Sequence, residues 1–127
     1  MSALVLDAGA FVAAERDDRA LLARLRVAQR HGVELRSNAI VVAQVWRDPK
    51  GRQARLARLL RGVDVRPVDE DAGRAAGALI GRAGTQDPID ATLVLVARLG
   101  DRILTSDPQA IQRLLTAAGR SVPVIPC

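Results

Sequence analysis

The run Ala3-Leu4-Val5-Leu6, four apolar residues stopped by Asp7, constrains this 127-residue chain more than any other feature. A strand with one wet face alternates apolar and polar side chains. A short continuous run instead reads as a strand buried on both faces, the mark of a parallel sheet covered by helices. The remaining pattern alternates accordingly. Leu21, Leu22, Leu25 and Ala28 recur at helical spacing over about 17–29. A short strand is expected at 33–35, then a helix capped by Ser37 that carries Ile40, Val41, Ala43 and Val45. The sequence Asp48-Pro49-Lys50-Gly51 breaks the chain before an amphipathic helix with Leu56, Leu59 and Leu60, which Gly62 ends.

The second half repeats this alternation. Residues 63–66 read as a strand, and 69–82 as an Ala-rich helix opened by Asp69-Glu70-Asp71. Asp87-Pro88 starts a helix that buries Leu93, Val94 and Ala97 and stops at Gly100. Residues 102–105 form a strand, Asp107-Pro108 opens the next helix, and 122–125 make a last edge strand. Strands separated by helices build βαβ units, so the expected architecture is a three-layer α/β/α domain around a central parallel sheet. About 100–200 residues make one domain, so a single domain over 1–127 is expected.

Composition narrows the chemistry. At 49% hydrophobic and 26% charged, the chain can bury a core, and no apolar run reaches the roughly 18 residues of a membrane span. No secretory leader is visible at the start, and the lone Cys127 excludes an internal disulfide or a cysteine-built zinc site. A reducing cytoplasmic setting is expected. The net charge is +5, and of 19 Lys and Arg residues only Lys50 is a lysine. Arginine suits phosphate recognition, although Phe11 and Trp46, the only aromatics, cannot make a base-stacking platform.

In a parallel sheet, ligands bind beyond the carboxyl ends of the strands. Three aspartates are expected at that edge: Asp7 after the first strand, Asp107 after the strand 103–105, and Asp90 in the first turn of the helix that Asp87 caps. Asp87 and Asp107 each precede a proline and are helix caps in their own right. Asp7 is different: a carboxylate abutting a doubly buried strand costs free energy unless something pairs with it. Converging carboxylates with no His or Cys nearby suit Mg²⁺ or Mn²⁺, which polarises a phosphoryl oxygen and activates water. No Gly-rich phosphate loop occurs, and His31, the only histidine, lies between Arg30 and Gly32 without a triad partner.

The segments Leu4-Val5-Leu6-Asp7-Ala8-Gly9-Ala10, Asp87-Pro88-Ile89-Asp90-Ala91-Thr92-Leu93 and Leu104-Thr105-Ser106-Asp107-Pro108 resemble, in order and spacing, the PIN-domain family, and within it the VapC-like toxins of bacterial toxin–antitoxin pairs. The resemblance implies a Mg²⁺- or Mn²⁺-dependent endoribonuclease that cleaves RNA, dimerises, and is silenced by a cognate VapB-like antitoxin. It implies Asp7, Asp90 and Asp107 as metal ligands, Asp87 in a supporting place, and Thr105 or Ser106 hydrogen-bonded to the metal's water shell. Where the family carries a glutamate, this chain has Gln44, which removes a negative charge and a base. That departure sets the rival expectation of a weakened PIN-like module that binds RNA or antitoxin without efficient cleavage. A DNA-structure-specific nuclease shares the chemistry but needs extra elements for which 127 residues leave no room. Arg47 and Arg52 are candidates for phosphate contacts, and the leucine-bearing helices for a dimer or antitoxin face.

Overall fold

In the computed structural model, which describes residues 2–127, five parallel strands lie in the order β3-β2-β1-β4-β5. They are β1 (Ala3–Leu6), β2 (Glu34–Asn38), β3 (Val63–Arg66), β4 (Arg102–Thr105) and β5 (Val124–Pro126). Every residue of β1 is buried, as its unbroken apolar run requires. The helices are α1 (Ala8–Glu15), α2 (Arg19–Arg30), α3 (Ala39–Val45), α4 (Ala54–Leu60), α5 (Glu70–Ala83), α6 (Pro88–Val96) and α7 (Pro108–Ala118). Right-handed crossovers put α1–α4, which link β1 to β2 to β3, on one face. The chain then reverses direction across the sheet, and α5–α7 cover the other.

Four local expectations change. Helix α1 was not expected, because Ala8–Glu15 is apolar nearly all round and carries no amphipathic stripe; its Ala10, Phe11 and Ala14 are buried. It stops where Asp17 adopts φ 63°, after which Asp18 caps α2. Strand β2 runs on to Asn38, so Ser37 lies within the strand and Asn38 caps α3 instead. Helix α6 ends at Val96, where Ala97 turns extended well before Gly100. The last strand starts at Val124 and is an edge, as expected.

The leucines of α2 and α4 serve the core. Leu21, Leu25 and Leu56 are buried, while Leu22, Ala28, Leu59 and Leu60 pack against the same cluster. Phe11 is fully buried at its centre, a side chain whose truncation to alanine typically costs about 3–5 kcal/mol. Among the described residues, no helix is long and apolar enough to cross a membrane.

Candidate metal centre

The direction of travel across the sheet reverses between β1 and β4, and the crevice at such a switch point opens at the carboxyl ends of the two strands. Asp7 lies there, 6% exposed, as the cap of α1. Its Oδ1 accepts the Ala10 N–H at 2.9 Å. Its Oδ2 accepts the Thr105 hydroxyl at 2.5 Å and the Ser106 N–H at 3.1 Å. These three donors satisfy the buried carboxylate oxygens and offset the cost of taking them out of water. Thr105, itself fully buried, also accepts the Asp107 N–H on the same hydroxyl oxygen at 2.9 Å. The Thr105 hydroxyl therefore engages protein groups on both sides, one as donor and one as acceptor.

Helix heads bring in the remaining acids. Asp107 caps α7 by accepting the Ala110 N–H at 3.2 Å. Asp87 caps α6 by accepting the N–H groups of Ile89 and Asp90 at 2.9 and 3.1 Å. Asp90 sits in the first turn of α6, half-buried. Burial, then the charges of Asp87, Asp7 and Asp107, and finally a hydrogen bond with Asp87 push its carboxyl up to about 6. All four aspartates thus share one electrostatic neighbourhood. No three acidic, histidine or cysteine side chains among the described residues converge into a ready-made metal cage, so the cluster is a loose one.

Other predicted residues are placed elsewhere or left free. Gln44 is exposed in the last turn of α3, and no hydrogen bond ties it to the aspartates. Arg47 folds back onto the carboxyl end of α3, donating to the carbonyls of Ala43 and Trp46 at 2.9 and 2.8 Å. Arg52 is exposed. His31 caps the end of α2, with Nδ1 2.8 Å from the Val27 carbonyl. Cys127 is exposed as a residue but its thiol is partly covered, and this burial, with the charges of Asp7 and Asp18, pushes the thiol up to about 11. Its backbone N–H donates to the Thr105 carbonyl at 2.9 Å, which sets it near the acidic edge. Sequence reasoning missed Asn38, a fully buried amide at the end of β2 that reaches α6. Its only signal was an Asn one residue after the expected serine cap.

The donor set suits a hard divalent cation. Asp7, Asp90 and Asp107 offer only carboxylate oxygen, and a bound cation would offset both the burial and the mutual repulsion that raise the Asp90 carboxyl.

No family profile matches the sequence, and no curated protein matches it. Among solved structures, the chain is similar to a chain in the crystal structure of VapBC2 from Rickettsia felis bound to a DNA fragment from their promoter. The TM-score is 0.73 at 12% identity, over 100% of this chain and 99% of that one. At that identity the likeness is one of fold, and the all-parallel five-stranded sheet flanked by helices is a PIN-like fold.

Proposed function

We propose that this protein is a Mg²⁺- or Mn²⁺-dependent endoribonuclease of the VapC toxin type, restrained by a cognate antitoxin. The observation that carries the reading is the shared electrostatic neighbourhood of Asp7, Asp87, Asp90 and Asp107 at the β1/β4 switch point. The full-length likeness to a chain of a VapBC2 assembly supports the toxin–antitoxin assignment, and dimerisation belongs to the same proposal. Asp7, Asp90 and Asp107 would hold the ion, whose chemistry is polarisation of a phosphodiester oxygen and activation of water. Thr105 holds the Asp7 carboxylate in one orientation. The basic surface, net +5, attracts the polyanion without selecting a sequence.

Asp90→Asn is the cleaner probe. Asp7→Ala would remove the cap of α1 and the acceptor of three hydrogen bonds, confounding folding with chemistry. Isothermal titration of Mn²⁺ and digestion of a single-stranded RNA, with and without EDTA, should show binding and cleavage lost together in Asp90→Asn. Cleavage that survives in that variant, or that ignores EDTA, refutes the proposal. The exposed, neutral Gln44 favours the second reading, a binding module with little catalysis. If Gln44→Glu gains cleavage over a weak wild type, the site is an attenuated nuclease; inactivity of both, with RNA or antitoxin still bound, establishes the module.

A further inference from the structure

Asn38 does more than a helix cap needs. Capping α3 requires only its Oδ1, which accepts the N–H groups of Ile40 and Val41, both at 3.0 Å, a role that Ser, Thr or Asp fills equally well. The amide nitrogen points elsewhere, donating to Thr92 Oγ1 on α6 at 3.1 Å. Thr92 passes the connection on by donating its hydroxyl to the Ile89 carbonyl at 2.7 Å, within the same turn that carries Asp90. On the other side, the preceding Ser37 donates to the Leu6 carbonyl at 2.8 Å, locking the end of β2 to the residue before Asp7. Ser37 and Asn38 are fully buried and Thr92 is 8% exposed, so water does not compete for these bonds.

We propose that the relay Ser37–Asn38–Thr92 is the positioning device that fixes Asp90, on α6, relative to Asp7, at the end of β1. Asp7 is tied to β4 through Thr105, and among the described residues no other side-chain hydrogen bond links the head of α6 to the sheet. Arg36 and Arg120 hold only its carboxyl end, through the carbonyls of Val96 and of Val94, Leu95 and Ala97. The acids repel one another, so a helix head free to move would carry Asp90 outward. A buried amide-to-hydroxyl bond opposes that motion. The proposal rests on the metal-site reading for its functional consequence and on the hydrogen bonds for its mechanical one.

Four variants test it: Thr92→Val, Asn38→Ser, Thr92→Ser and Ile111→Val. The first two break the relay, because valine has no hydroxyl and serine is too short to span to α6. Thr92→Ser keeps the hydroxyl, and Ile111→Val trims a fully buried core residue on α7 away from the relay. Mn²⁺ affinity by isothermal titration should fall about tenfold or more in Thr92→Val and Asn38→Ser, the usual scale for losing a group that orients a ligand. Thr92→Ser should restore it and Ile111→Val should retain it. Hydrogen exchange at the amides of residues 89–93 should quicken in the first two variants only. Wild-type affinity in Thr92→Val overturns the proposal, as does an equal loss in Ile111→Val. A wild type that takes up no Mn²⁺ refutes the metal reading alone. Exchange then decides the relay, and unchanged amides in Thr92→Val overturn it.

Discussion

The hydroxyl of Thr105 donates to Asp7 Oδ2 at 2.5 Å and has no freedom to rotate, because the same oxygen accepts the Asp107 backbone N–H at 2.9 Å. One buried side chain thus sets the carboxylate at the end of β1 against the head of α7. The polarity is obligatory: the N–H can only donate, so the hydroxyl proton must go to the carboxylate.

Thr105→Val keeps shape and removes that proton. The Asp107 N–H loses its acceptor and Asp7 loses its shortest hydrogen bond, so destabilisation of about 1–3 kcal/mol is expected. Urea unfolding of Thr105→Val beside Thr105→Ser measures it, and Mn²⁺ affinity should fall with it. A valine variant as stable as the serine one contradicts this account.

Stability should depend on pH through Asp90. Its carboxyl in the folded protein is raised to about 6 from the ordinary 3.8, so the native state binds the proton more tightly than the unfolded chain. The contribution is therefore favourable at low pH and is lost as pH rises from about 4 through about 6. Asp90→Asn, which cannot ionise, should be more stable than wild type at pH 7, with the difference vanishing near pH 4. Denaturant midpoints across that range check it, and a wild type that instead gains on Asp90→Asn as pH rises refutes it.

Gly9 leaves room for Ser106. A Cβ at position 9 would lie 2.2 Å from Ser106 Oγ and 2.4 Å from its Cβ, within forbidden contact. Alanine in a helix ordinarily gains about 0.5–1 kcal/mol over glycine, but overpacking costs about 1–3 kcal/mol, and here the clash wins. Gly9→Ala should destabilise the protein and disturb the Ser106 N–H bond to Asp7. Adding Ser106→Gly should recover most of the loss. A double mutant no better than Gly9→Ala shows that the cost lies elsewhere.

Gln53 anchors the turn before α4. Its Oε1 accepts the N–H groups of Arg47 and Asp48 at 2.6 and 2.5 Å, and its Nε2 donates to Glu15 Oε2 and the Val45 carbonyl, both at 2.9 Å. Gln53→Leu strands these groups in a site only 7% exposed, for an expected loss of about 2–4 kcal/mol. Thermal and urea unfolding measure it; a loss below about 0.5 kcal/mol would mean that water replaces the amide.

The sequence by itself determined the layer architecture. The unbroken Ala3–Leu6 run is buried throughout, and the Asp-Pro pairs at 87 and 107 mark the starts of α6 and α7, because caps and doubly buried strands are written in adjacent residues. It also put Asp7, Asp90 and Asp107 at ends of elements facing one edge. Three things only the tertiary structure decided. The helical state of Ala8–Glu15 comes from all-round burial, which leaves no periodic signal. Asn38 in place of Ser37 as the cap follows from how far β2 pairs with β3, up to Asn38 opposite Arg66. Thr105 binding Asp7 and Asn38 binding Thr92 join residues 98 and 54 positions apart. Hydrogen bonds of that separation exist only once the strands are in register, since no local pattern encodes a distance between two elements that the chain has yet to bring together.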